Sequence, residues 1–126
     1  MKRNELKALF GTEHPILGMI HLPPLPGAPN YGGSMTAVID HALQDAETLA
    51  SNGISAMIVE NLGDYPYYPE TTEPETVAAM TRVALEVRKC YDLPLGINIL
   101  RNSWKSAMAV AAMADCQFIR LNVLTD

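Results

Sequence analysis

The sequence predicts an α/β fold, the first half of a TIM (β/α)8 barrel with about four parallel strands and outer helices. Three observations predict it. Short apolar runs alternate with amphipathic helical stretches across turn-rich loops, and that rhythm with short returns gives a parallel sheet with right-handed crossovers. Alternate positions in the later runs separate aliphatic from polar side chains, as barrel strands do. Finally, the chain has 126 residues, whereas a whole barrel takes about 250. Residues 1–126 thus read as a single domain, the N-terminal half of a barrel. The competing fold is a small doubly wound open sheet. It is disfavoured because no Gly-x-Gly-x-x-Gly segment follows any strand.

The elements follow in order. Pro15-Ile16-Leu17-Gly18-Met19-Ile20-His21-Leu22 is a buried strand behind a proline. A loop rich in proline and glycine leads to Ser34, which caps a helix whose apolar stripe is Met35, Val38, Ala42, Ala46 and Leu49, with Gly53 at its end. Ala56 to Asn61 forms the second strand, and Leu62 to Thr71 a loop with three tyrosines. Thr72-Glu73-Pro74-Glu75 has the spacing of a capping box with proline in the first turn. The helix behind it carries Val77, Met80, Val83, Ala84 and Val87 on one stripe and closes with Arg88 and Lys89. Pro94 to Leu100 is the third strand, Asn102-Ser103 a cap, and Trp104 to about Asp115 an alanine-rich helix. Phe118 to Val123 is the fourth strand.

Composition narrows the function. The chain carries 9 Lys+Arg against 14 Asp+Glu, a net charge of −5, and is 48% hydrophobic and 18% charged. Disorder needs the opposite balance. An acidic chain without a Lys/Arg-rich stripe is no nonspecific nucleic-acid binder. No apolar run approaches the ~18–20 residues of a membrane span. The basic start at Met1-Lys2-Arg3 has no apolar core behind it, so no secretory signal is read. Cys90 and Cys116, in apolar surroundings, read as two reduced buried thiols of a cytoplasmic protein.

Strand parity selects the candidate site. Leu95, Ile97 and Ile99 share one face of the third strand, and Ile119, Leu121 and Val123 one face of the fourth. Those faces suit the helices, so Asn98, Arg120 and Asn122 point into the barrel, near the strand ends where barrels do chemistry. A structural polar layer is the alternative. The second strand ends in Glu60-Asn61, and a carboxylate there is a strand-end acid, a general base or a metal ligand. His21 closes the first strand and is suited to acid–base work or to anchoring the loop behind it. Their positions at the same ends of adjacent strands place His21 and Glu60 within reach of one ligand. His41 falls on the polar side of its helix as a solvated residue, and His14 has a structural role. Gly32-Gly33-Ser34 at a helix start is a weak anion cradle. Tyr65, Tyr67 and Tyr68 either stack on a ligand or cover the mouth. The sequence names no metal and no cofactor.

The run Gly18-Met19-Ile20-His21-Leu22-Pro23-Pro24-Leu25-Pro26-Gly27-Ala28-Pro29 is more specific than these signals. With Glu60-Asn61, Asp64-Tyr65-Pro66 and Gly96-Ile97-Asn98-Ile99-Leu100-Arg101-Asn102, it resembles the BtpA family. The resemblance covers essentially the whole chain. It implies a likeness to phosphate-binding TIM barrels about twice this long, of which this chain would be the N-terminal half. Some members are tied to photosystem I accumulation. Others, the SgcQ-like proteins, sit among sugar-uptake and metabolism genes and carry enzyme labels such as nucleoside triphosphatase.

Together these readings give an enzyme-type barrel that binds a small phosphorylated, sugar- or nucleoside-like molecule. His21, Glu60 and Asn61 are its catalytic candidates, and Asn98, Arg120 and Asn122 its substrate-binding ones. Two readings stand beside it: a non-catalytic assembly factor using the same face for a partner, and an inactive truncated member. Four strands leave two open edges and an uncovered inward face, for which Leu17, Met19, Ile58 and Phe118 are candidates. Each such side chain left wet forgoes roughly 1.5–3 kcal/mol, against a domain stability of only about 5–15 kcal/mol. The isolated chain is therefore expected to form a homo-oligomer, pair with a C-terminal half or aggregate. Light scattering and denaturant melts check this, and a reversible, concentration-independent monomeric transition would contradict it.

Overall fold

Parallel pairing of four short strands orders the chain. The computed structural model describes residues 2–66, 73–100 and 103–121. Helix α1 (Arg3–Phe10) precedes β1 (Leu17–His21), α2 (Met35–Ser51) and β2 (Ala56–Glu60). A single 3-10 turn (Leu62–Asp64) then leads to α3 (Pro74–Cys90), β3 (Leu95–Asn98), α4 (Trp104–Met113) and β4 (Phe118–Ile119). The sheet runs β1-β2-β3-β4, every pair parallel, with helices flanking it. This is the α/β arrangement that the repeated strand–loop–helix rhythm predicts.

The two-residue period of a strand sets which side chains meet the helices. Ile20, Met57, Val59, Leu95, Ile97 and Ile119 face α2, α3 and α4, where Val38, Ala42, Met80, Val83, Val87 and Val110 complete the core. Gly18 shares this face because α2 and its following turn press close. A Cβ there would lie 2.7 Å from Leu49 Cδ2 and from Ile54 Cδ1.

The other parity gives Leu17, Met19, His21, Ile58, Glu60, Asn98 and Phe118, matched across the strands by their register. This inward face is less open than expected. Ile58 is only 3% exposed. The Phe118 ring folds over Gly96, where a Cβ would collide with it. Phe10 of α1 meets that ring edge-on, centroids 5.5 Å apart at 80°. Helix α1 is an element the apolar periodicity does not reveal, because none of its residues is buried. Its local signals are Glu5, whose carboxylate accepts the Lys2 N–H at 3.0 Å, and Gly11 at φ 78° closing the helix.

Boundaries differ in detail. Ser34 caps α2 as predicted, its Oγ accepting the Ala37 N–H at 3.1 Å. Helix α3 starts at Pro74 behind Glu73, and Thr72 of the expected capping box lies outside the described residues. The fourth strand is shorter than the expected 118–123, although Arg120 N–H still donates to the Ile97 carbonyl at 2.9 Å. Among the described residues, β1 and β4 are each paired on one side only, and no helix is long and apolar enough to cross a membrane.

The thiols depart from the expectation that both are buried. Cys90 is exposed at the last position of α3, beyond the stripe that ends at Val87, and Cys116 is half-buried. Burial pushes the Cys116 thiol up to about 11, against the pull of Arg88. A thiol must ionise to react. Iodoacetamide at mildly alkaline pH is therefore expected to label Cys90 in the native protein and Cys116 only after denaturation, read by peptide mass mapping.

Candidate functional site

The strand ends are held by a backbone-and-carboxylate brace. Leu22 N–H donates to the Glu60 carbonyl at 2.9 Å, and Gly63 N–H to the Leu22 carbonyl at 3.0 Å. Gly63 must lack a side chain, since a Cβ there would sit 2.5 Å from the Pro24 nitrogen. Asn61 Oδ1 accepts the Leu100 N–H at 2.7 Å, which turns its Nδ2 toward Asp64 Oδ2 at 3.2 Å. Asp64 Oδ1 in turn accepts the Leu25 N–H at 2.7 Å. These bonds tie the loops after β1, β2 and β3 together. Burial raises the Asp64 carboxyl above its ordinary range, and the bonds from Leu25 and Asn61 work against that rise.

Beside the brace sits a polar cluster on the inward face. Register places His21, Glu60 and Asn98 side by side on β1, β2 and β3. Glu60, with a side chain only 7% exposed, has His21 Nε2 3.5 Å from Oε1 and Arg120 NH1 3.5 Å from Oε2. Asn98 Nδ2 donates to the same Oε2 at 2.5 Å. His21 and Arg120 are 47% and 50% exposed. A buried carboxylate is tolerable only with such partners. Both contacts are looser than the ~2.7–2.9 Å of a tight charge-assisted bond, so these arms can be drawn to a ligand while Asn98 holds the acid.

The geometry thus brings together His21, Glu60, Asn98 and Arg120. It separates Asn61, whose amide is committed on both sides to the brace and which is 2% exposed. Asn61, expected among the catalytic candidates, follows the strand end, and its side chain lies in the brace. Asn122, Tyr67 and Tyr68 lie outside the described residues, and Tyr65 is 70% exposed.

His41 is more than a solvated residue. Its Nε2 lies 3.2 Å from the His21 carbonyl and 3.3 Å from Asp45 Oδ2, linking α2 to the end of β1. It also lines a cavity of about 280 Å³ with Pro23, Pro24, Asn30, Gly32 and Ser34. His14 is exposed ahead of β1, its N–H on Thr12 Oγ1 at 3.2 Å. Sequence reasoning passes over Asp64 as a brace, although a carboxylate three residues beyond Asn61 is a usable signal. Among the described residues, no three His, Cys, Asp or Glu side chains gather as metal ligands would.

The model of the BtpA family matches residues 12–126. The chain belongs to the BtpA family. It is 42% identical over 121 residues to the photosystem I biogenesis protein BtpA of Synechocystis sp., covering 96% of this chain and 42% of that protein. An uncharacterised protein of Pyrococcus horikoshii is 49% identical over 111 residues, 88% of this chain and 42% of its own length. The chain thus spans less than half the length of these two relatives. Among solved structures, 7,8-dihydropteroate synthase from Vibrio fischeri, a TIM barrel, superposes with a TM-score of 0.51 at 20% identity, over 82% of this chain and 43% of that one. At that identity the likeness concerns the fold alone.

The brace yields a test. Asp64 must accept at both oxygens, because Leu25 and Asn61 both donate to it. Asp64→Asn keeps the shape but sets one N–H2 against another, leaving a buried donor unpaired at a cost of about 1–3 kcal/mol. The expected result is a lower urea midpoint at neutral pH with an unchanged m-value.

Proposed function

We propose that this chain supplies the acid–base half of an enzyme-type barrel that binds a small phosphorylated, sugar- or nucleoside-like molecule. One observation carries the reading: a buried carboxylate at a strand end, with two half-exposed basic side chains each 3.5 Å from one of its oxygens. Arg120 takes the anionic group, Glu60 moves the proton, His21 assists from the neighbouring strand, and Asn98 orients the acid. A proton-transferring side chain of this kind contributes typically 10²–10⁴-fold to rate. The protein is read as cytoplasmic and as acting within a complete barrel, supplied by a second half or a second copy. Nothing in the reading requires a metal or cofactor.

A second reading has its own support, the 42% identity to a protein named for photosystem I biogenesis. In that reading the same face binds a partner and no turnover occurs. Thermal-shift screening of sugar phosphates and nucleotides separates the two, since a ligand that binds the native state raises its melting temperature. For a stabilising compound that is turned over, Glu60→Gln is expected to lower kcat at least 100-fold with an unchanged circular-dichroism spectrum. Full activity in that variant would leave Glu60 a structural strand-end acid.

A further inference from the structure

Asn98 is 1% exposed, yet its Oδ1 has no hydrogen-bond partner among the described residues. Buried polar atoms are satisfied in roughly nine cases of ten, and an unmet acceptor costs about 1–3 kcal/mol. The other end of the amide cannot relieve it, because Nδ2 is held by Glu60 Oε2. The orphan is an acceptor, so it asks for a ligand hydroxyl or N–H.

What lies over it follows from the strand order. Arg120 comes directly after β4, Glu60 ends β2, and β3 with Asn98 runs between them. Neighbouring strands are about 4.8 Å apart, so Arg120 NH1 and Glu60 Oε2, 3.5 Å from each other, meet across the width of β3. The two meet at Asn98, whose Nδ2 holds the same oxygen. The contact is loose and half its side chain is exposed to solvent.

We infer that Arg120 is a latch over Asn98, and that the site selects an anion carrying a nearby hydroxyl. The ligand's anionic group draws the guanidinium off Glu60 and uncovers Asn98, whose Oδ1 then accepts the hydroxyl hydrogen. Anion and hydroxyl thus bind cooperatively: the first opens the place of the second. This deepens the small-anion reading above and rests on it. The ligand class is a phosphorylated or carboxylated polyol.

The test compares glycerol 3-phosphate with propyl phosphate, which lacks the hydroxyls, and with glycerol, which lacks the anion, by calorimetric titration of the full chain. Glycerol phosphate is expected to bind at least tenfold more tightly than propyl phosphate, and glycerol alone not measurably. In Asn98→Leu the ratio of the two phosphate affinities is expected to fall to about one. Should that variant not fold, the wild-type Asn98 side-chain carbonyl carbon gives the same answer by NMR, moving further with glycerol phosphate than with propyl phosphate. Equal affinities in the wild type, or a ratio that survives in a folded Asn98→Leu, overturn the latch and leave the anion reading standing. If neither phosphate binds, both fall.

Discussion

The bond from the Leu100 amide to Asn61 Oδ1 governs the mouth of this half-barrel. An amide side chain has one accepting and one donating end, so fixing the oxygen on Leu100 fixes where the nitrogen goes. It goes to Asp64, which can then only accept, and whose second oxygen receives Leu25. Three loops that belong to three different strands thereby share one network. A buried network of this kind is stiff because each member is costly to leave unpaired. The proline-rich loop after β1 is held by it, and so are the strand ends from which His21, Glu60 and Asn98 project.

On that support the Glu60 carboxylate is buried next to partners of unequal firmness. Asn98 approaches closely and is itself buried, whereas His21 and Arg120 stand off at 3.5 Å and reach solvent. The firm contact holds the acid in place, and the loose ones are interactions that a ligand can replace at little loss, since half-exposed contacts of this kind contribute little. A site with a rigid floor and exchangeable walls suits a small ligand better than a flat protein surface.

The same inward face also shows how the sheet covers part of itself. Phe118 lies over Gly96, the register partner of Ile58, and meets Phe10 of α1, one layer below the polar cluster. Leu17 stays 41% exposed at the edge strand. Apolar packing fills one end of the inward face and polar groups the other, the division of labour expected of a barrel, with stability at the N-terminal face and chemistry at the C-terminal face.

The sequence by itself determined the strand–loop–helix order and the inward parity of Asn98 and Arg120. Both rest on local periodicities, the two-residue period of strands and the stripe of the helices. It also determined that Glu60 ends a strand, since a carboxylate behind Ile58 and Val59 has nowhere else to go. Tertiary structure alone decided that Asn61 joins the brace, because that depends on Leu100, far away in sequence. It alone decided that His41 reaches the His21 carbonyl and that α1 folds Phe10 onto Phe118. A side chain's direction follows from its own segment, but its partner is set by the register and spacing of segments that meet only in the folded chain.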